Sequence, residues 1–137
     1  LCWNKKNAFN IDYMLTHIGQ YNPRPHDNVC GNAEVVYQAM GQFLPGSTLS
    51  RDGEDAASSW WYSERHRAII YTDVRTTRPG ACLTVAFGSK FQPIAGSDRR
   101  TEAFSAVATW QACGSAGTLP SASATSALVA YVPPALP

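Results

Sequence analysis

The sequence predicts an α+β fold, and three observations predict it. Apolar residues recur at helical spacing early in the chain, as in "AFNIDYMLTHIGQ" (8–20). They alternate with period two later, as in "ACLTVAFG" (81–88). The two kinds of segment are grouped rather than interleaved, which favours stacked layers over βαβ units. At 137 residues the chain suits a single domain with one core.

Each element has its own reason. Residues 8–20 place Ile11, Met14, Leu15 and Ile18 on one helical face. "YNPRPHD" ends that helix, because the residue before each proline is pushed out of helical dihedrals. "GNAEVVYQAMGQF" (31–43) predicts a second helix, with Asn32 as cap and Glu34 in the positive first turn. Val36, Met40 and Phe43 would be its buried stripe, and Gly41 weakens it. "SRDGEDAASSWWYSERHR" (50–67) predicts a loop entering a third helix, with Glu54 and Asp55 near its N-terminus. "AIIYTDV" (68–74) turns to β-branched and aromatic residues and predicts a strand. Pro79-Gly80 supplies turn chemistry, so 68–74 and 81–88 form a candidate hairpin. "TEAFSAVATWQAC" (101–113) predicts a strand on the alternation of Phe104, Ala106, Ala108 and Trp110, although a loose helical stripe also fits. Beyond it lies a Ser/Ala/Pro-rich extension from about 114, with a short strand at 127–132 and an extended tail.

Composition narrows the function classes. A formal net charge of +1 gives no electrostatic footprint for nucleic acid. No apolar run is long enough to span a membrane. The sequence starts at Leu1 without a signal-like segment, which predicts a processed chain or an excised domain. Cys2, Cys30, Cys82 and Cys113 are widely spread with no C-x-x-C pair, which disfavours zinc ribbons and redox motifs. They predict a secreted protein with two disulfides, four buried free thiols being the plainer alternative. Sequence leaves all three connectivities open.

Few residues can carry chemistry. The histidines are His17, His26 and His66. His26 lies in the proline-flanked "PRPHDNVCG", and His66 follows Glu64 at the predicted helix-to-strand switch. Two histidines and two glutamates converging on a cleft could bind a divalent metal or polarise a water. The plainer alternative is two separate surface histidines. Glu64 and His66, two apart, diverge on a continuous helix. Trp60 and Trp61 suit core packing with a partly covered neighbour better than a stacking platform. "RDGED" (51–55) lacks the periodic oxygen ligands of a calcium loop and reads as a solvated helix start. The sequence has no G-x-S-x-G elbow, P-loop, G-x-G-x-x-G or H-E-x-x-H.

"WWYSERHRAIIYTDVRTTRPGACLTVAFG" (60–88) resembles the central signature of the CAP superfamily of cysteine-rich secretory, antigen 5 and pathogenesis-related proteins. Trp60, Ser63, His66, Arg67, Ala68 and Ile70 follow the order of its bacterial members. Gly80 and Cys82 resemble the Gly-Cys of eukaryotic members, here separated by one residue. "HDNVCGNAE" (26–34) resembles the family's histidine followed by Gly-Glu-Asn, with Glu34 displaced by two positions. The likeness covers roughly residues 26–88 and does not extend past Phe87.

The resemblance implies an α-β-α sandwich with an antiparallel sheet, exported from the cell. It makes His26 and His66 the cleft histidines and the metal candidates, for zinc or another divalent ion. Glu34 would be the first acid and Glu64 the second. It implies ligands ranging from lipids and sterols to protein partners, without a firmly assigned enzyme activity. The leading expectation is therefore a secreted, extracellular binding module. One alternative is a metal-dependent hydrolase in the same cleft, with Glu64 as base. The other is a disulfide-stapled structural subunit of an extracellular assembly, whose 114–137 segment would lie along a partner.

Overall fold

The computed structural model describes residues 2–27, 33–49, 52–71 and 80–112. Their elements are α1 (Cys2–Thr16), β1 (Glu34–Phe43), α2 (Asp52–Tyr62), α3 (Glu64–Ile70), β2 (Ala81–Pro93) and β3 (Arg100–Ala112). The strands make one antiparallel sheet in the order β1-β3-β2. The expected α+β class is what the chain adopts.

The central strand explains the layering. Residues 102–109 of β3 are buried without exception, because helices cover both faces. Phe104, Ala106 and Ala108 point to one side, where they pack with Val35, Val85, Ala56, Trp60 and Ile70. Ala103, Ser105 and Val107 point to the other. There Ala103 packs with Ile11 and Met14, and Val107 with Ala86 and Val36. α1 thus lies on one face and α2–α3 on the opposite one. β2 and β3 are joined by a tight turn, in which Ile94 N donates to Arg99 O at 3.1 Å and Gly96 takes φ +74°.

Two predicted elements are overturned. The helix expected at 31–43 is β1, paired with β3 from Glu34↔Thr109 to Phe43↔Arg100. Val35, Tyr37 and Ala39 join the α2–α3 side, while Val36 and Met40 join the α1 side. A strand covered on both faces loses its polar alternation, so its apolar run mimics a helix. The strand expected from 68 is the end of α3, which runs to Ile70. Ser63 caps α3, its side chain accepting from His66 N at 3.5 Å, and the turn that follows delivers Ile70 to the core. The expected hairpin therefore does not form from 68–71; β2 pairs with β3.

Other expectations shift by a few residues. The first helix begins at Cys2, six residues earlier than its apolar stripe suggested. The third helix is two helices broken at Ser63. β2 and β3 form where strands were expected, β2 extending on to Pro93. Residues 72–79 and the 114–137 extension, with its predicted strand at 127–132, lie outside the described residues. Among the described residues no cysteine is free, and Cys82 is disulfide-bonded. The side chains of Cys2, Cys30 and Cys113 lie outside the described set. No helix among the described residues is long and apolar enough to cross a membrane.

Candidate functional site

The site begins with an unusual helix face. Lys6 and Asn10 are one turn apart on α1, and Met14 follows one turn later, so all three face the sheet. Lys6 is 1% exposed and Asn10 is fully buried, as polar groups seldom are without partners. Lys6 finds its partner in Glu34, its Nζ donating to Glu34 Oε1. Glu34 opens β1, and its own side chain is 3% exposed. Next to it Ala33 O accepts from Thr109 Oγ1 at 2.9 Å, which fastens the start of β1 to β3.

His26 approaches the same carboxylate from outside. It sits in a turn closed by Asp27 N donating to Arg24 O at 3.3 Å. Its Nδ1 lies 3.1 Å from Glu34 Oε1, the oxygen that also takes Lys6. The His26 side chain is 49% exposed, so its ring is a rim group seated on a buried ion pair. Removing Glu34 would strip the buried Lys6 of this carboxylate, which is why such a pair holds its geometry.

His66 comes from the other side of the sheet, in the first turn of α3, which packs on β1 and β3. Its ring is half-buried, and burial holds its pKa below the ordinary imidazole value. The nearby His26 and Arg65 charges lower it further, so the two rings share one electrostatic neighbourhood. Among the described residues no hydrogen-bond partner meets the buried His66 Nδ1.

His26 and Glu34 are thus in contact, while the His26 charge is a lesser cause, after burial, of the lowered His66 pKa. Glu64 is exposed in the first turn of α3, with no ion pair among the described residues. Sequence reasoning missed Lys6. The signal was present, since Lys6, Asn10 and Met14 share one face at i, i+4 and i+8. It was lost because the helix was started at residue 8 on apolar spacing alone.

The aromatic stretch is mostly fastening. Trp60 is 5% exposed in the core, and Trp61 is half-buried. The Arg67 guanidinium lies 5.8 Å from the Trp61 ring centre, and its Nη1 donates to Trp61 O at 2.7 Å. Tyr71 meets Trp61 edge-on at 4.8 Å. These contacts lock α2 to α3 across Ser63, and so fix where His66 stands. "RDGED" is not a calcium loop: from Asp52 onward it is the first turn of α2.

A zinc ion would need more than two imidazoles. Glu34 is already taken by Lys6 and His26, and no group of three or more His, Cys, Asp or Glu gathers among the described residues. The described residues do not by themselves make a metal centre. Comparison with protein-family models, with curated proteins and with solved structures finds no match.

Proposed function

We propose that the chain is an extracellular CAP-like binding module, whose cleft at the start of β1 presents His26, Glu34 and His66 to a small lipid-like ligand or a protein partner. The observation that carries this reading is the shared contact at Glu34 Oε1. The residues that resemble the family's histidine and acid meet there, despite the two-residue displacement in the sequence. Helices on both faces of an antiparallel three-stranded sheet support the α-β-α sandwich. The disulfide at Cys82 supports export. The reading is of a recognition site: the buried Glu34 carboxylate is taken by Lys6 and His26, and the hydrolytic alternative rests on Glu64 alone.

The test follows the imidazole NMR signals of His17, His26 and His66 while a medium-chain fatty acid is added, with zinc chloride in a parallel sample. The expected result is that His26 and His66 move together with the fatty acid while His17 stays in place. A joint shift with zinc alone would turn the reading toward a metal site. Separate shifts, or none with either probe, would remove the cleft.

A further inference from the structure

The loop that carries His26 is almost wholly outside the core. Between residues 20 and 27, Asn22 is the one buried residue, at 4% exposure. No apolar side chain is buried among residues 20–27, and polar bonds hold Asn22 in place. Asn22 N donates to Gln38 Oε1 at 2.9 Å, and Gln38 Nε2 donates to Asn22 O at 3.2 Å. One side-chain amide therefore satisfies both backbone groups of Asn22, much as a neighbouring strand would. Among the described residues β1 lies at the edge of the sheet.

Asn22 is held from two further directions. Its Nδ2 donates to Asn10 Oδ1 at 2.6 Å, and its Oδ1 accepts from Arg24 N at 3.0 Å. Asn10 Nδ2 in turn donates to Ser105 Oγ at 3.4 Å, and Ser105 Oγ to Asn7 Oδ1 at 3.2 Å. The chain of bonds runs from α1 and β3 through Asn22 into the turn that holds His26. Pro23 and Pro25 stiffen that short path by fixing φ. Gln38 and Glu34 are four residues apart on β1 and point to the same face. The loop is thus pinned to one strand face at two points: Asn22 at Gln38, and His26 at Glu34.

We infer that Gln38 is a positioning residue for His26: by holding the backbone of Asn22 it sets the ring against the Lys6–Glu34 pair. The inference rests on the reading of His26, Glu34 and His66 as the cleft. Gln38 touches no ligand on this account. Its effect passes through the loop.

The experiment compares His26 ring signals and Asn22 amide exchange in the wild-type chain, Gln38→Met and Glu34→Gln. Gln38→Met keeps the volume and removes both bonds. Its Asn22 amide should exchange about tenfold faster. Its His26 ring signals should move at least half-way to those of Glu34→Gln, while His17 stays unchanged. The inference is overturned if Asn22 loses protection and His26 does not move, or if Asn22 keeps its protection. Should Gln38→Met not fold, Gln38→Asn, one methylene short, is read the same way. If Glu34→Gln itself leaves the His26 signals unmoved, the cleft reading has failed, and that outcome is separate from failure of the clamp.

Discussion

The two faces of the sheet differ at their centres, although the α2–α3 side also buries Glu102 near its end, where Leu49 N donates to the carboxylate at 2.8 Å. On the α2–α3 side, Ala56, Trp60 and Ile70 meet Val35, Val85 and Phe104 in an apolar contact. On the α1 side, Ile11 and Met14 are joined by Lys6, Asn7 and Asn10, all buried against Glu34 and Ser105. Apolar burial is non-directional and scales with area, so it stabilises without fixing an angle. A buried polar contact adds little net stability but penalises every misplacement, because the unpaired group is left desolvated. The first face holds the domain together; the second sets where α1, β1 and the His26 loop stand relative to one another. His26 and Glu34 stand on the polar face, and His66 is carried by α3 on the other.

The largest test of this contrast is Lys6. Lys6→Met takes the buried ammonium away from Glu34 Oε1, where the half-exposed His26 stays, and should cost about 3–5 kcal/mol. Adding Glu34→Gln removes the carboxylate charge, so the double variant should recover most of the loss in urea unfolding. A single variant within 1 kcal/mol of wild type would mean that the polar face is not held by this pair. Neighbouring positions on β3 sharpen the contrast at a smaller scale. Ser105→Ala takes the hydroxyl from Asn7 and Asn10, and should cost about 1–3 kcal/mol. Ala106→Ser puts a hydroxyl into the apolar face and should cost a similar ~1–3 kcal/mol. If both positions accept either residue, the faces are not chemically distinct.

The same contrast shows what could be read from the sequence. β2 was legible because Leu83, Val85 and Phe87 alternate; β3, buried on both faces, also allowed a loose helical stripe. β1 was not legible, since Val35, Val36 and Tyr37 are all drawn inward by helices on two sides, and burial on both faces erases period two. The helix at 64–70 was taken for a strand because β-branched Ile69 and Ile70 carry strand propensity, which the Ser63 cap and core packing override. The contact between His26 and Glu34 joins two of the four residues that the family resemblance named, the others being Glu64 and His66. Lys6 and Gln38 were not visible in the sequence, since no local pattern marks a lysine whose partner is 28 residues away. A long-range polar contact leaves no period in the sequence.

His66 gives the smallest test, and it links the two faces. Burial, with the His26 and Arg65 charges behind it, lowers its folded pKa below the ordinary 6.5. The unfolded chain therefore binds a proton at this residue before the folded one does. Stability from His66 is present above the ordinary value, and is lost as pH falls below it toward the lowered folded value. Partial exposure limits the effect to under about 1 kcal/mol. The measurement is unfolding stability of wild type and His66→Gln between pH 7 and pH 5. The wild type should lose ground against the variant as pH falls, whatever the offset between them at pH 7. A flat difference would mean that His66 is neither desolvated nor beside His26. His26→Ala should then remove only the lesser part of the slope, because burial is the larger cause and the α3 cap that imposes it is untouched. If His26→Ala removes the whole slope, the two imidazoles are coupled more tightly than their burial, and the cleft is more closed at its rim than the half-exposed His26 indicates.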